Sequence, residues 1–315
     1  MKILIELPTL IGDSAMATPA IENLLNYYER PEVTMIGSTA SIELLRDNPR
    51  VQMAIVLNKS YKSLLKMSQS LGKFDVFFSF RSSVRSKFLK ILIKSSNKFQ
   101  FNSKKYRNIH LVEKYNEFIN DSLNTQFKAG ELNLNIARKI NNANNSVKLV
   151  GINPGASYGD SKRWYPKEFA KVSIELSKHY DILIFGSNDE KNMACDIEKL
   201  LIENGINNYR NLAGETTLLD LTSLISSLDL FITGDSGPMH LAANFKIPTV
   251  SIFGPTRVKE TSQWMNKKSI ILKKNLDCQP CMKRKCPLKH HNCMRLITAE
   301  DVLEATKELQ IIGKI

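Results

Sequence analysis

The densest polar motif in this 315-residue chain is Phe231-Ile-Thr-Gly-Asp-Ser-Gly-Pro-Met-His-Leu-Ala-Ala243, which reads as a strand, a tight turn and a helix starting near Pro238. Gly234 and Gly237 let the backbone approach a ligand closely, and Pro238 suits a first helical position. The exposed N–H groups and dipole of a helix start favour phosphate. Asp235 and Ser236 add polar groups at the same point, and His240 falls in the first turn, where a ring N–H could reach a phosphate oxygen. An ordinary capped turn would use some of these residues but does not need so many of them. A second loop, Asn153-Pro-Gly-Ala-Ser-Tyr158, leads into Lys162-Arg-Trp-Tyr-Pro166. There Lys162 and Arg163 could neutralise a diphosphate while Ser157 and Tyr158 offer hydroxyls; Arg163 is equally suited to the surface. Two phosphate-type loops in one half point to a bound nucleotide.

Near the start, Ile11-Gly-Asp-Ser-Ala-Met-Ala-Thr-Pro-Ala20 carries a single carboxylate, Asp13, after the first apolar run. Open sheets place ligands at such a position, and a carboxylate there could take a proton from an attacking hydroxyl. Capping the following helix is the competing role for Asp13. The remaining constellation is Cys278-x2-Cys281-x4-Cys286-x6-Cys293, with His290 and His291 between thiols and Cys195 far upstream. Four thiols in this span are enough for zinc, yet the spacing is irregular for a zinc ribbon, and a loop of reduced thiols is the other reading. No metal ligand is assigned, and Cys195 is expected in the core.

These residues need elements to hold them. An apolar run at Lys2–Pro8, a turn-rich loop at Thr9–Thr18 and an amphipathic stretch at Pro19–Tyr28 read as strand, loop and helix. Strands are expected at Val33–Gly37, Gln52–Leu57 and Phe74–Phe80, with helices at Ser41–Asp47 and Tyr61–Leu71. The Asn-rich break Asn141–Ser146 reads as a linker. The alternation then restarts, with strands at Lys148–Ile152, Asp181–Phe185, Leu228–Thr233 and Thr249–Phe253 and helices at Pro166–His179, Glu190–Asn204 and Leu218–Ser227. Such alternation predicts two α/β domains with parallel sheets, 1–146 and 147–315. A last helix is capped by Thr298, with Glu300 and Asp301 at its positive end, and can pack back on the first domain.

Composition narrows the partners. With 43% apolar residues the chain can bury two cores. It has no apolar run of membrane-span length and no signal-peptide pattern at its start, which predicts a cytoplasmic protein. The net charge is +13. Residues 1–150 hold 22 basic against 12 acidic side chains, which leaves +3 for the remainder. Arg81 to Arg107 contains nine basic residues and no acidic one. Nucleic acid, anionic lipid headgroups or an acidic glycan would suit this half, as would a solvated lysine-rich surface.

Together the motifs resemble those of the lipopolysaccharide heptosyltransferases of glycosyltransferase family 9, and the tail from Cys278 to Cys293 is most similar to the heptosyltransferase II branch. The resemblance is strongest over Ile11–Ala20, Gly151–Pro166 and Gly234–Ala243. It implies the GT-B architecture, two Rossmann-like domains facing a central cleft, with the acceptor on the N-terminal domain and the nucleotide-sugar on the C-terminal one. It implies Asp13 as general base and Lys162 as the second catalytic residue. Ser157, Tyr158, Asn188, Thr216, Asp235, Ser236, Gly237 and His240 are then the donor-binding set, with Arg81 and Arg85 on the acceptor. Asn188 stands where the family often has an acidic residue. The implied reaction is an inverting transfer of L-glycero-D-manno-heptose from ADP-heptose to the heptose-Kdo-lipid A inner core of lipopolysaccharide. It needs no cofactor and takes place at the cytoplasmic face of the inner membrane, where the protein would be peripheral.

Three rival readings remain. Another family 9 enzyme with a different nucleotide-sugar donor is the main alternative. A nucleotide-sugar epimerase would carry several acidic residues and a histidine in its cleft, whereas the first loop offers Asp13 alone. A nucleic-acid-binding module is disfavoured because the basic stretch has few interleaved aromatics and the cysteines sit in the less charged half.

Overall fold

The computed structural model describes residues 1–58, 60–136 and 148–312. The chain divides into two units, Met1–Ala137 and Arg138–Ile315. The linker expected at Asn141–Ser146, and with it the expected boundary after 146, lies outside the described residues.

In the first unit the elements are β1 (Lys2–Glu6), α1 (Ile11–Tyr27), β2 (Glu32–Gly37), α2 (Thr39–Leu45), β3 (Val51–Val56), α3 (Tyr61–Ser70), β4 (Lys73–Ser79), α4 (Val84–Leu92), β5 (Lys94–Gln100) and α5 (Leu111–Leu123). The sheet order is β3-β2-β1-β4-β5, and every pairing is parallel. Strand order reverses between β1 and β4, so the ligand-binding crevice of such a sheet lies at their C-terminal ends. The buried apolar residues of β1, Ile3 to Ile5, reflect a central strand covered on both faces. On one face Phe78, Phe80, Phe99, Phe101, Tyr115 and Phe118 form an aromatic layer with ring centroids 4.8–6.3 Å apart.

One expectation is corrected here. Thr9–Thr18 is not a loop: α1 begins at Ile11 and runs through Pro19. Proline has no N–H with which to reach the Ala15 carbonyl, which would ordinarily break the helix. Instead, the neighbouring Thr18 hydroxyl donates to Ala15 O at 2.7 Å and satisfies that acceptor. Asp13 therefore sits in the first helical turn. The N-cap is Leu10, without a side-chain cap bond.

In the second unit the elements are β6 (Lys148–Asn153), α6 (Pro166–Leu176), β7 (Tyr180–Ile184), α7 (Lys191–Glu203), β8 (Tyr209–Asn211), α8 (Leu218–Ser226), β9 (Leu230–Gly234), α9 (Gly237–Asn244), β10 (Thr249–Ile252), α10 (Val258–Thr261), β11 (Ser269–Leu272), α11 (Asn292–Arg295) and α12 (Ala299–Ile312). Single 3₁₀ turns occupy Asp160–Lys162 and Asn188–Glu190. The parallel sheet runs β11-β10-β9-β6-β7-β8, a doubly wound order with its reversal between β6 and β9. Thr298 caps α12 as expected, accepting from the Asp301 N–H at 3.2 Å, and Val302, Ala305 and Leu309 pack into the core of this unit. Cys195 is exposed rather than in the core. On α7 it follows the buried Ala194, and a turn of about 100° per residue carries it off the apolar face. Among the described residues no helix is long and apolar enough to cross a membrane.

Candidate active site

In the second unit both phosphate-type loops start at the reversal point, one from β6 and one from β9. Asn153, the last residue of β6, ties them together through its side-chain amide, which donates to Thr233 Oγ1 and Ser236 Oγ, each at 3.2 Å. Lys162 reaches across from the 3₁₀ turn, and its Nζ lies 2.5 Å from Asp235 Oδ2 and 3.2 Å from Asp235 O. Thr256 Oγ1 donates to the same Oδ2 at 2.5 Å. The side chains of Lys162 and Asp235 are only 12% and 5% exposed. Removing one partner of such a pair strands a charge at a cost of roughly 3–5 kcal/mol. The ammonium also lies 4.8 Å from the Tyr158 ring centroid. A cation is thereby fixed beside the start of α9, whose first N–H groups carry partial positive charge. Beside Thr256, the loops after β10 and β11 line an open cavity of about 460 Å³ that includes Arg257, Lys259, Lys273 and Lys274.

The cysteine-rich segment braces this loop from outside. Tyr158 Oη donates to Met282 O at 2.7 Å, Ser161 Oγ donates to Lys283 O at 2.5 Å, and the Ser161 N–H donates to Arg284 O at 3.2 Å. Gly159 has φ +148°, and a Cβ there would come within 2.6 Å of Arg284 O, so the close approach requires glycine. His291 pairs with Ser161 O at 3.0 Å and with Tyr165 Oη at 3.1 Å. All five cysteines are free thiols. Among the described residues no group of three or more His, Cys, Asp or Glu side chains is arranged to hold a metal. Burial, with the nearby Cys281, Cys286 and Cys278, pushes the Cys293 thiol up to about 11.

In the first unit the reversal point carries a charged group. Glu6, the last residue of β1, is 1% exposed. Its Oε2 accepts from Ser79 Oγ at 2.6 Å and from Ser86 Oγ, and Arg81 Nη1 lies 3.4 Å from its Oε1. Arg85 donates to Asn58 O; burial and then the Arg81 charge lower its pKa, while Glu6 opposes the shift. Asp13 is half-buried in the first turn of α1. Tyr115 lies within electrostatic reach of both charges: burial and then the Asp13 carboxylate raise its hydroxyl pKa well above the usual value, and Arg81 opposes the rise. Two carboxylates, Glu6 and Asp13, and two guanidinium groups, Arg81 and Arg85, therefore share this end of the sheet.

The sequence profile of glycosyltransferase family 9 (heptosyltransferase) matches residues 53–292, spanning both units. The chain belongs to glycosyltransferase family 9. A lipooligosaccharide heptosyltransferase 2 of Campylobacter jejuni is 40% identical over 315 residues, 98% of each chain. Among solved structures, the Escherichia coli ADP-heptose lps heptosyltransferase II superposes with a TM-score of 0.79 at 21% identity, covering 100% of both chains. A family 9 glycosyl transferase from Veillonella parvula gives 0.81 at 18%, covering 98% of this chain and 97% of that one. At these identities the structures speak for the fold, two Rossmann-like parallel-sheet domains of the GT-B type.

Within this family 9 chain, the structure brings Tyr158, Lys162, Asp235 and Ser236 into one cluster, with Gly237 as the first helical residue behind it. His240 is buried in the same turn of α9. Ser157 is exposed on the loop. Asn188 and Thr216 belong to a neighbouring pair of loops, joined where the Gly214 N–H donates to Gly186 O at 2.8 Å. Arg163 pairs with Asp160 at 2.9 Å, a local contact within the 3₁₀ turn. Sequence reading missed Asn153, Thr256, Glu6 and Glu190. The buried Glu190 accepts from the Ser187 N–H at 2.8 Å, and its carboxylate fills the space where a Cβ on Gly155 would sit. The spacing Ser187-x-x-Glu190 is a capping-box signal that could have flagged it. Asn153 and Thr256 carry no such signal, because their partners are far away in the sequence.

Proposed function

We propose that this chain is an inverting heptosyltransferase that moves L-glycero-D-manno-heptose from ADP-heptose to the heptose-Kdo-lipid A inner core of lipopolysaccharide. The observation that carries the reading is the Lys162–Asp235 pair, held at the start of α9 where the two β-strand loops converge. A diphosphate seated there gains charge as its bond to the sugar breaks, and a preorganised ammonium and backbone N–H groups stabilise that charge most when it has fully developed. The cavity beside Thr256 supplies room for a sugar. The sugar, nucleotide and lipid class in this proposal are those of the similar lipooligosaccharide heptosyltransferase 2 of Campylobacter jejuni and ADP-heptose lps heptosyltransferase II of Escherichia coli, whose likeness supports the reading.

In this reading Asp13 takes the proton from the acceptor hydroxyl as that oxygen attacks the anomeric carbon, and ADP leaves from the opposite face. A single displacement inverts the centre without a covalent intermediate. Ser157, Tyr158, Asn188, Thr216, Ser236, Gly237 and His240 hold the donor, and Arg81 and Arg85 meet anionic groups of the acceptor. Lys162 supplies the positive charge that a divalent ion would otherwise provide, so no cofactor is required. The basic first unit suits an anionic membrane face, where the protein acts peripherally.

The test is ADP release from ADP-heptose with a heptose-bearing Kdo-lipid A acceptor, with EDTA present throughout. Turnover that survives EDTA and falls at least about a thousandfold in Asp13→Ala supports the donor, the base and metal independence together. Binding of ADP without transfer, followed by turnover with another nucleotide-sugar, would replace the donor while leaving the site intact.

A further inference from the structure

We propose that Glu6 is a positioning residue for the transfer reaction: from beneath the sheet reversal of the first unit it fixes the Arg81 guanidinium as the group that an anionic part of the acceptor meets. This rests on the reading above, in which Arg81 contacts the acceptor.

Glu6 ends the central strand β1 and stands in register with Ser79 at the end of β4. It is a charged residue in a place where the fold calls for none. A buried carboxylate must be compensated, and three elements converge to do so: Ser79 from β4, Ser86 from α4, and Arg81 from the segment between them. A buried ion pair is poor evidence of stabilisation, since an apolar side chain of similar volume commonly serves a core as well. What the arrangement does achieve is a fixed cation. The Glu6 side chain is 1% exposed and that of Arg81 is 17% exposed, so the accessible part of the pair is guanidinium. Glu6 also offsets the repulsion between Arg81 and Arg85, which lie close enough for one charge to disfavour the other. Without the carboxylate, two like charges would share the end of one sheet and the freer one would swing outward. A sulfate-, phosphate- or carboxylate-bearing sugar would then meet a mobile cation and lose the geometric part of its binding.

The experiment is steady-state kinetics of Glu6→Gln, Arg81→Ala and the double variant, varying acceptor and donor separately. Glutamine keeps the volume and can still bond both serines. The expected result is an acceptor KM about tenfold higher in Glu6→Gln, with donor KM unchanged, and a double variant no worse than Arg81→Ala alone. Glu6→Asp, which keeps the charge but shortens its reach, should fall between wild type and Glu6→Gln, and it serves as the second variant if the glutamine protein folds poorly. If Arg81→Ala raises the acceptor KM while Glu6→Gln leaves it untouched, or if the two effects add, the positioning role is wrong although the acceptor reading stands. If Arg81→Ala leaves acceptor KM at the wild-type value, Arg81 does not contact the acceptor and both ideas fail together.

Discussion

Lys162 has three partners at once, the Asp235 carboxylate, the Asp235 carbonyl and the Tyr158 ring, so its ammonium is in place before any diphosphate arrives. Preorganised charge of this kind lowers a barrier more than it tightens ground-state binding. Lys162→Ala is therefore expected to lower kcat by about a hundred- to a thousandfold while ADP affinity, measured by calorimetry, weakens much less. An equal loss in both would mean that Lys162 binds ground state and transition state alike. Gly155 gives a structural prediction at the same scale. A methyl group there meets the Glu190 carboxylate, which the Ser187 N–H pins in place. Gly155→Ala should destabilise the fold by about 1–3 kcal/mol, read as a lower urea midpoint; Gly155→Ala combined with Glu190→Ala should recover part of that loss. The phosphate-type residues were legible because glycine, proline and small polar residues cluster at strand ends for backbone reasons visible in a single stretch of chain. Glu6 was not legible: its partners lie 73 to 80 positions away.

Among the elements, α1 shows how a local rule can mislead. Pro19 looked like a helix start, and the polar residues before it looked like a loop. The Thr18 hydroxyl instead takes over the carbonyl that Pro19 cannot reach, so the helix continues and Asp13 sits in its first turn. The same hydroxyl accepts from the Asn133 N–H at 3.0 Å, so Thr18→Ala removes both bonds and should cost about 1–3 kcal/mol, measured as a lower urea midpoint; an unchanged midpoint would show that the hydroxyl is not what carries the helix through the proline. The strand β5, Lys-Ser-Ser-Asn-Lys-Phe-Gln, was unreadable for a different reason. Among the described residues it is the edge strand beside β4, with three of its seven residues exposed and the other four partly so, so it lacks the apolar run that identifies a buried strand. The cysteine segment suggested thiol chemistry by composition, yet its backbone carbonyls at Met282, Lys283 and Arg284 are what hold the Lys162 loop.

Across the whole molecule, charge and titration give two further expectations. The first 150 residues carry 22 basic against 12 acidic side chains. Raising the salt concentration should therefore raise the acceptor KM several-fold and leave kcat nearly constant, as expected for attraction that screening weakens. A salt-independent KM would assign the basic surface to solubility alone. The Cys293 thiol is raised from the ordinary 9.0 to about 11 by burial and its neighbouring thiols. A group raised on folding contributes stability in full below its unfolded value and loses it as pH climbs through the folded one. The urea midpoint should accordingly fall between pH 9 and 11, and it should fall less in Cys293→Ala; equal slopes for the two proteins would remove Cys293 as the cause.

The amino-acid order alone determined the alternation of strands and helices, the parallel α/β class, and the loops on which phosphate chemistry could occur. These follow from hydrophobic period and from the backbone needs of glycine and proline, which act over a few residues. Tertiary contact alone brought Lys162 to Asp235 across 73 positions, set the brace of carbonyls behind Tyr158, and buried Glu6 beneath Arg81. Each of these depends on which strands become neighbours. Strand order is settled by how whole faces pack together, so no short stretch of sequence contains it.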